Sequence, residues 1–310
     1  MRSLQCLPRS IRRFQASKDP KISGWWVYVR LLPFLLILPA LAVLLFVTVY
    51  PIASVLYYSL HSYNIITGEF RFTGFQEYLD LFRDPVFQVS VRNTLIFSLA
   101  ATFLQTLLGL SIAVIVNQEI RGKRYLVPLI VLPNMFSAVI VSSMWKLMLE
   151  YDTGLVNHIL RAMGLQPLPW LTSIDLALLS IVIIDTWQWT PICFLILYAG
   201  LQSIPKELYE AALVDGAPPY RTFLHITLPL LKPYITLVLL LRSIDTFRLF
   251  DKVYVLTGGG PAHATETISL YIFKTGLVFW DIGKASAASF LMLILILAVS
   301  AFYIKKVMFE

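Results

Sequence analysis

Residues Glu210–Pro233 read EAALVDGAPPYRTFLHITLPLLKP, a polar, acid-bearing segment between two strongly apolar runs. Asp215 and Gly216 are typical of a helix end, because glycine readily adopts the left-handed conformation that closes a helix. Pro218 and Pro219 then prevent the helix from continuing. The pattern predicts a short helix and a bend along a membrane surface, an arrangement typical of an element on which a second protein docks.

The beginning of this helix is marked by residues just upstream of Glu210. Ser203 suits the N-cap and Pro205 suits the first turn. Ala211 and Ala212 are small, and small side chains let another surface approach the helix backbone closely. Because any inside loop of a membrane protein can carry a short amphipathic helix, the pattern alone leaves both a docking helix and an ordinary loop helix open.

The composition indicates a membrane protein. Of the 310 residues, 58% are apolar and only 14% are charged, whereas average globular chains carry about 25% charged residues, and the mean hydropathy is +0.74. The apolar runs are long and rich in Leu, Ile and Val, which favours helices over the alternating strands of a β-barrel. The predicted fold is an all-α membrane protein with six transmembrane helices near residues 32–60, 91–117, 126–149, 176–200, 229–250 and 283–304.

The basic residues are unevenly distributed along the chain. Residues 1–31 hold seven Lys and Arg residues against one acidic residue, and the segments assigned to the inside carry +9 in total against −2 for the rest. The positive-inside rule then places both termini in the cytosol. We expect a basic cytosolic leader at 1–31 and a six-span domain at 32–310, with the docking loop at about 203–233 between spans four and five. This topology accounts for the net charge of +7 without a nucleic-acid partner.

Three loops are assigned to the outside, and each contains a short structural signal. Phe75–Phe82 is an amphipathic piece typical of an interfacial helix, and Gly154–Met163 is predicted to form a second short helix. The third loop contains Gly258–Pro261, a Gly-Gly-Gly-Pro run that predicts a tight turn. The backbone N–H groups of such a run can also bind an anion, so that alternative stays open.

No motif in the sequence indicates an energy source or a catalytic site. The phosphate loop G-x-x-x-x-G-K-[ST] is absent, as are H-E-x-x-H and C-x-x-C, so neither ATP binding by that route nor a metal site of those kinds is predicted. Cys6 and Cys193 lie in the leader and inside span four, and they are not expected to pair. The sequence therefore predicts no cofactor, and it predicts that the energy for the protein's work comes from another chain.

Spans four and five each carry polar residues at membrane depth, where a charge costs about 2.5–3.5 kcal/mol and usually faces a cavity or a partner. On each span four residues follow the spacing i, i+3, i+4 and i+7, so they share one helix face. Carboxylates and amides hydrogen-bond hydroxyl groups, and tryptophan rings stack on the apolar faces of sugars. The spacing equally allows Arg242 and Asp245 simply to neutralise each other. The residues predicted to line a wet, solute-binding cavity are Asp185, Gln188, Trp189, Ile192, Arg242, Asp245, Thr246 and Leu249.

Glu210–Ala217, with its pattern EAA-x-x-DGA, resembles the EAA loop of permease subunits in binding-protein-dependent type I ABC importers. Leu228, Pro229 and Pro233 continue the likeness. The segment Leu256–Pro261 is similar to the sugar branch of that family, of the maltose type. The resemblance covers nearly the whole chain.

The resemblance implies a permease that hydrolyses no ATP itself. It implies a second homologous permease, two copies of a cytosolic ATPase and an extracytoplasmic solute-binding protein, all at a prokaryotic plasma membrane. In that family the loop is a coupling helix seated in a cleft of the ATPase, and the two polar helix faces hold the transported sugar, an oligosaccharide, disaccharide or polyol. The residues that the likeness assigns to coupling are Glu210, Ala211, Ala212, Asp215 and Gly216.

Other functions remain open at this point. Arg242 and Arg248 would suit a glycerol-phosphate or another anionic solute. An ion-coupled secondary transporter could use Asp185 and Asp245 as ion sites, although it would leave the EAA loop unexplained. An intramembrane enzyme would need a catalytic site at depth, and an amino-acid or peptide permease is a further alternative within the importer class.

Overall fold

The structure is a computed structural model that describes residues 20–118 and 122–309. Residues 1–19 of the predicted leader, with Cys6, lie outside the described residues, as do Glu119 and Arg121 of the next inside loop. In the described part, residues up to Ser54 form one compact unit and those from Val55 onward form the other.

Helices make up most of the described chain, and α1 begins at Pro20, inside the segment predicted as leader. Three short turns connect helices: the 3₁₀ turn Leu132–Met135 and the π-helical turns Phe223–Thr227 and Lys274–Val278. The elements in chain order are α1 (Pro20–Ser59), β1 (His61–Asn64), β2 (Glu69–Phe72), α2 (Gln76–Arg83), α3 (Pro85–Asn117), α4 (Lys123–Val131), α5 (Ala138–Met148), α6 (Leu155–Ala162), α7 (Ala177–Gln202), α8 (Lys206–Val214), α9 (Pro219–Thr222), α10 (Leu228–Phe247), α11 (Asp251–Leu256), α12 (Ile268–Phe273) and α13 (Ile282–Phe309).

The described helices include five that are long and apolar enough to cross a membrane. A sixth crossing is present if α4 with its 3₁₀ turn and α5 count as one span, although the two pieces meet at 92°. The span predicted at 126–149 is therefore not one continuous helix. Pro128 lies inside α4 and Pro133 lies in the 3₁₀ turn, and each proline removes a backbone donor and disfavours a continuous helix.

The loop between α1 and α2, which was predicted to lie outside, contains a β-hairpin that the all-α prediction did not include. Strands β1 and β2 pair antiparallel, with His61 opposite Phe72 and Asn64 opposite Glu69. The ring of His61 stacks on that of Phe70 at 4.9 Å. The two short helices predicted in the outside loops are present as α2 and α6.

Helices α3 and α7 approach each other closely at a glycine. A Cβ atom added to Gly109 would lie only 2.7 Å from the Cβ of Cys193, so a larger residue there would push the helices apart. The buried side chains of Phe194 and Leu197 pack in the same apolar cluster as Ala113. This close packing brings the polar residues of α3 within reach of those on α7.

Asp84 fixes the start of α3. One carboxylate oxygen accepts from the backbone N–H of Val86 at 2.9 Å, while the other accepts from the Tyr271 hydroxyl at 2.8 Å and from Lys284 Nζ at 2.6 Å. Burial raises the pKa of the Asp84 carboxyl, but the hydrogen bonds from Lys284 and Tyr271 outweigh that effect and hold the pKa below its ordinary value.

Asp84→Ala is expected to lower the free energy of unfolding by about 0.5–2 kcal/mol, the usual effect of losing an N-cap. Because the pKa of Asp84 is lower in the folded protein, its stabilisation is present above the unfolded pKa of about 3.9 and is lost as the pH falls through the folded pKa. The thermal unfolding midpoints of wild type and variant, measured in detergent, should therefore differ at neutral pH and converge in acid. Asp175→Ala, an exposed aspartate near the start of α7, is the control and should change the midpoint little; equal shifts for both variants would contradict the assignment.

Candidate functional site

Asp185, in the middle of α7, is the centre of a buried cluster of charges. Its residue surface is only 2% exposed. One carboxylate oxygen accepts from Gln105 Nε2 of α3 at 2.8 Å and lies 3.4 Å from a terminal nitrogen of Arg242 on α10. The other oxygen forms an ion pair with Lys252 Nζ of α11. The carboxylate thus joins four helices and has three donors.

Arg242 is equally well satisfied. Its Nε donates to Gln105 Oε1 at 2.7 Å, and one terminal nitrogen donates to Asp245 at 3.2 Å while the other faces Asp185. The guanidinium carbon lies 4.7 Å from the ring centre of Trp189, a cation–π contact. The neutralisation of Arg242 by Asp245, which the sequence left open as an alternative, is therefore present.

These side chains border a cavity of about 260 Å³, called here the charged cavity. Asp185, Arg242 and Lys252 form its buried wall. Asp245 is more accessible, with 52% of its side chain exposed, and Arg248 is exposed as well. The residues that line the charged cavity are Ala138, Asp185, Trp189, Arg242, Asp245, Thr246, Arg248, Leu249, Phe250, Asp251 and Lys252.

The structure brings six of the eight predicted lining residues to the charged cavity and leaves out Gln188 and Ile192. Gln188 Nε2 instead donates to the backbone oxygen of Phe136 at 2.9 Å, at the bend between α4 and α5. Ile192 packs against the apolar cluster that contains Phe194 and Leu197. The bent pair α4–α5 lies against one side of α7, so only the i, i+4 pair Asp185 and Trp189 of this helix lines the cavity.

Thr246 lines the charged cavity but is already engaged by the protein. Its hydroxyl lies 2.7 Å from that of Ser98 on α3 and donates to the backbone oxygen of Arg242 at 2.8 Å. It therefore joins α10 to α3 as well as lining the cavity.

Sequence reasoning missed four polar residues of this site. Lys252 and Asp251 follow the end of α10 and were assigned to an outside loop, while Gln105 is an amide near the middle of a strongly apolar helix. Arg248 was noted only as a possible anion ligand. An amide at membrane depth is the signal that could have pointed to Gln105, since such groups need partners there.

The segment around Glu210 forms the predicted short helix, α8, and ends as expected. Gly216 has φ +68°, its N–H donates to the backbone oxygen of Leu213 at 3.1 Å, and the N–H of Ala217 donates to that of Ala212 at 2.9 Å. This pair of bonds is the Schellman motif.

Helix α8 begins at Lys206, in the predicted region, but Ser203 is not its N-cap as predicted. Ser203 is the C-cap of α7 and its hydroxyl donates to the backbone oxygen of Gly200 at 2.7 Å, whereas Pro205 occupies the N-cap position of α8. Proline has no side-chain acceptor to cap a helix. The Ser203 hydroxyl bonds a carbonyl in the last turn of α7 and so does not cap α8.

The surface of α8 mixes exposed acids with exposed apolar groups. Leu213 is 76% exposed and Val214 is 88% exposed. Of the five residues assigned to coupling, Ala212 is buried, and the exposed ones are Glu210, Ala211, Asp215 and Gly216. Such an apolar end on a short helix is suited to contact with another surface.

The glycine-rich loop of the third outside segment does not offer an anion site. The N–H groups of Gly258, Gly259 and Gly260 all donate to oxygens of Val253 or Thr257. The open alternative of anion binding through these amides is therefore wrong. Searching the described ranges for three or more His, Cys, Asp or Glu residues that could hold a metal finds no such group.

The family model described as "Binding-protein-dependent transport system inner membrane component" matches residues 105–305. The chain belongs to this family. It is accordingly a multi-pass inner-membrane permease component of a binding-protein-dependent importer, not an enzyme, and the predicted family is confirmed.

Curated relatives resemble the permease along most of its length. The trehalose/maltose transport system permease protein MalF of Thermococcus litoralis is 42% identical, over 88% of this chain and 92% of the relative. The sulfoquinovosyl glycerol transport system permease protein SmoG of Agrobacterium fabrum is 34% identical, over 96% and 97%. The sn-glycerol-3-phosphate transport system permease protein UgpA of Yersinia pestis is 30% identical, over 89% and 94%.

A solved structure agrees with the fold of the permease. A chain of a bacterial alginate ABC transporter, in complex with an alginate pentasaccharide-bound periplasmic protein, superimposes with a TM-score of 0.78 at 24% identity. The match covers 90% of this chain and 95% of that one. The predicted helical permease fold is thus confirmed at the level of its architecture.

Proposed function

We propose that this permease, paired with a second related permease, forms the path along which an ATP-driven importer carries a sugar. The observation that carries the proposal is the charged cavity, which lies where the apolar helices α7 and α10 meet. It combines the aromatic face of Trp189 with hydrogen-bonding groups such as Asp245, and sugars need both kinds of contact. The likeness to a permease of a trehalose/maltose transport system adds support.

We further propose that α8 is the coupling helix and lies on the cytosolic side together with both termini. Its exposed residues Leu213 and Val214 would enter a cleft of the ATPase, and Glu210 and Asp215 would form the polar edge of that contact. Six spans follow if the bent pair α4–α5 counts as one. The binding protein would deliver solute to the opposite face, and ATP binding and hydrolysis would switch the cavity between its two openings.

Family membership disfavours the two alternatives from other classes. An ion-coupled transporter would need no binding protein, and in this structure Asp185 is occupied by three protein donors rather than free to take an ion. An intramembrane enzyme is disfavoured because the family consists of transport components.

The proposed function is tested by stimulation of ATP hydrolysis. The permease would be reconstituted in lipid with its candidate partner permease, ATPase and binding protein, and sugars, polyols and glycerol phosphates would be screened. A rise in hydrolysis with a sugar, lost in Glu210→Lys, is the expected result. Solute uptake by this chain alone, driven by an ion gradient, would overturn the proposal.

A further inference from the structure

We infer that the charged cavity selects uncharged, polyhydroxylated solutes over anionic ones, with Asp245 and Arg248 as the specificity-determining side chains. This inference rests on the proposed function and narrows its substrate class. The family does not decide the matter, because its members include permeases of both a trehalose/maltose system and an sn-glycerol-3-phosphate system.

The two buried cations are not available to an anion. Lys252 is paired with Asp185. The three nitrogens of Arg242 donate to Gln105, Asp185 and Asp245, and the guanidinium plane lies over the Trp189 ring. Arg242 is also only 2% exposed, and each of its three nitrogens already faces a protein acceptor, so a solute phosphate or carboxylate would meet Asp245 at the accessible side before this guanidinium.

The accessible charged side chains of the cavity lining carry a net negative charge. Among the described residues, the Arg248 side chain has no hydrogen-bond or ion-pair partner, and it is the one accessible cation of the lining. The exposed carboxylates Asp245 and Asp251 lie on the same cavity. The full lining holds three acidic and three basic residues, so its formal charge is zero.

A neutral sugar satisfies this set better than an anion does. The hydroxyl groups of a sugar can donate to Asp245 and accept from Arg248. An anion could accept from Arg248 but could not donate to either carboxylate, and like charges brought together in an interface cost several kcal/mol. Trp189 contributes an apolar face that is independent of the charge of the solute.

The test is equilibrium binding of labelled solutes to the purified, nucleotide-free transporter assembly without its binding protein, so that selectivity reports the membrane site alone. The probes are maltose and trehalose as neutral sugars, and maltobionate and glycerol 3-phosphate as anions. We expect wild type to favour the neutral sugars by about tenfold or more. Asp245→Asn should raise the relative affinity for the anions, and Arg248→Gln should weaken maltose binding while leaving thermal stability unchanged.

Asp175→Asn removes a carboxylate outside the cavity and is the matched control, expected to leave the preference as it is. Equal or tighter binding of the anions by wild type would overturn the inference while leaving a sugar or polyol importer in place. An unchanged preference in Asp245→Asn would also overturn it. Failure of all four probes to bind would overturn the inference, because the cavity would then show no preference for these neutral sugars, while the screen of ATP hydrolysis decides the proposed function separately.

Discussion

Asp185→Leu is expected to destabilise the folded permease by about 3–5 kcal/mol, because it leaves buried cations without their shared carboxylate. The four charges Asp185, Asp245, Arg242 and Lys252 sum to zero, and removal of Asp185 leaves one uncompensated positive charge among buried groups. The measurement is the thermal unfolding midpoint of the detergent-solubilised transporter, with the yield of monodisperse protein as a second reading.

The double variant Asp185→Leu with Lys252→Met is the matched control, because it removes one charge of each sign and leaves Arg242 paired with Asp245. Replacing a buried ion pair by apolar residues of similar size is often neutral for stability, so most of the lost midpoint should return. Asp185→Leu with wild-type stability would show that Asp185 is not the centre of the cluster. A double variant as unstable as the single one would show that charge balance is not the cause.

Gly216→Pro is expected to lower solute-stimulated ATP hydrolysis by about tenfold or more while the protein still inserts, a loss within the usual range of coupling between sites. Proline holds φ near −65° and has no N–H, whereas Gly216 has φ +68° and donates to Leu213. The end of α8 would have to rearrange, and its exposed apolar surface with it. The measurement compares stimulated hydrolysis in proteoliposomes with the amount of assembled transporter.

The chain offers a close control for this change. Gly164, at the end of α6, has φ +75° and closes the same pair of hydrogen bonds, from Gly164 to Arg161 and from Leu165 to Leu160. Gly164→Pro therefore imposes the same local strain away from α8 and should leave coupling intact. Gly216→Asn should also retain coupling, since asparagine tolerates the left-handed conformation. Wild-type stimulation in Gly216→Pro would remove α8 from the coupling role.

Much of the fold could be predicted because its signals are local. Apolar runs of sufficient length predict spans, and Gly216 followed by two prolines predicts the end of α8. The bend between α4 and α5 was missed although Pro128 and Pro133 lie in that run, because a membrane helix often tolerates proline and its direction after a break is set by neighbours. Gln188 supplies part of that support from another helix.

The site was only partly predictable, because its contacts join distant parts of the sequence. Helix periodicity correctly placed Asp185 with Trp189, and Arg242 with Asp245. It could not show which helix would cover the rest of each face, so it did not separate Gln188, which contacts the bend between α4 and α5, from the residues at the cavity. Periodicity also says nothing about Lys252, which reaches Asp185 across 67 residues after the chain has left α10.

The positions of the clustered charges along the chain also determine when they can pair during synthesis. Asp185 leaves the ribosome before both of its cations, Arg242 being 57 residues later and Lys252 67 residues later. During that interval the fourth apolar segment must enter the bilayer with its acid unpaired by either cation, at a cost of about 2.5–3.5 kcal/mol on insertion scales if it is charged. Gln105, made 80 residues earlier, is the one partner in the described cluster already in place to receive it. The nascent chain thus meets this amide first. The fifth segment then brings Arg242 together with Asp245, and Lys252 on α11 completes the neutralisation.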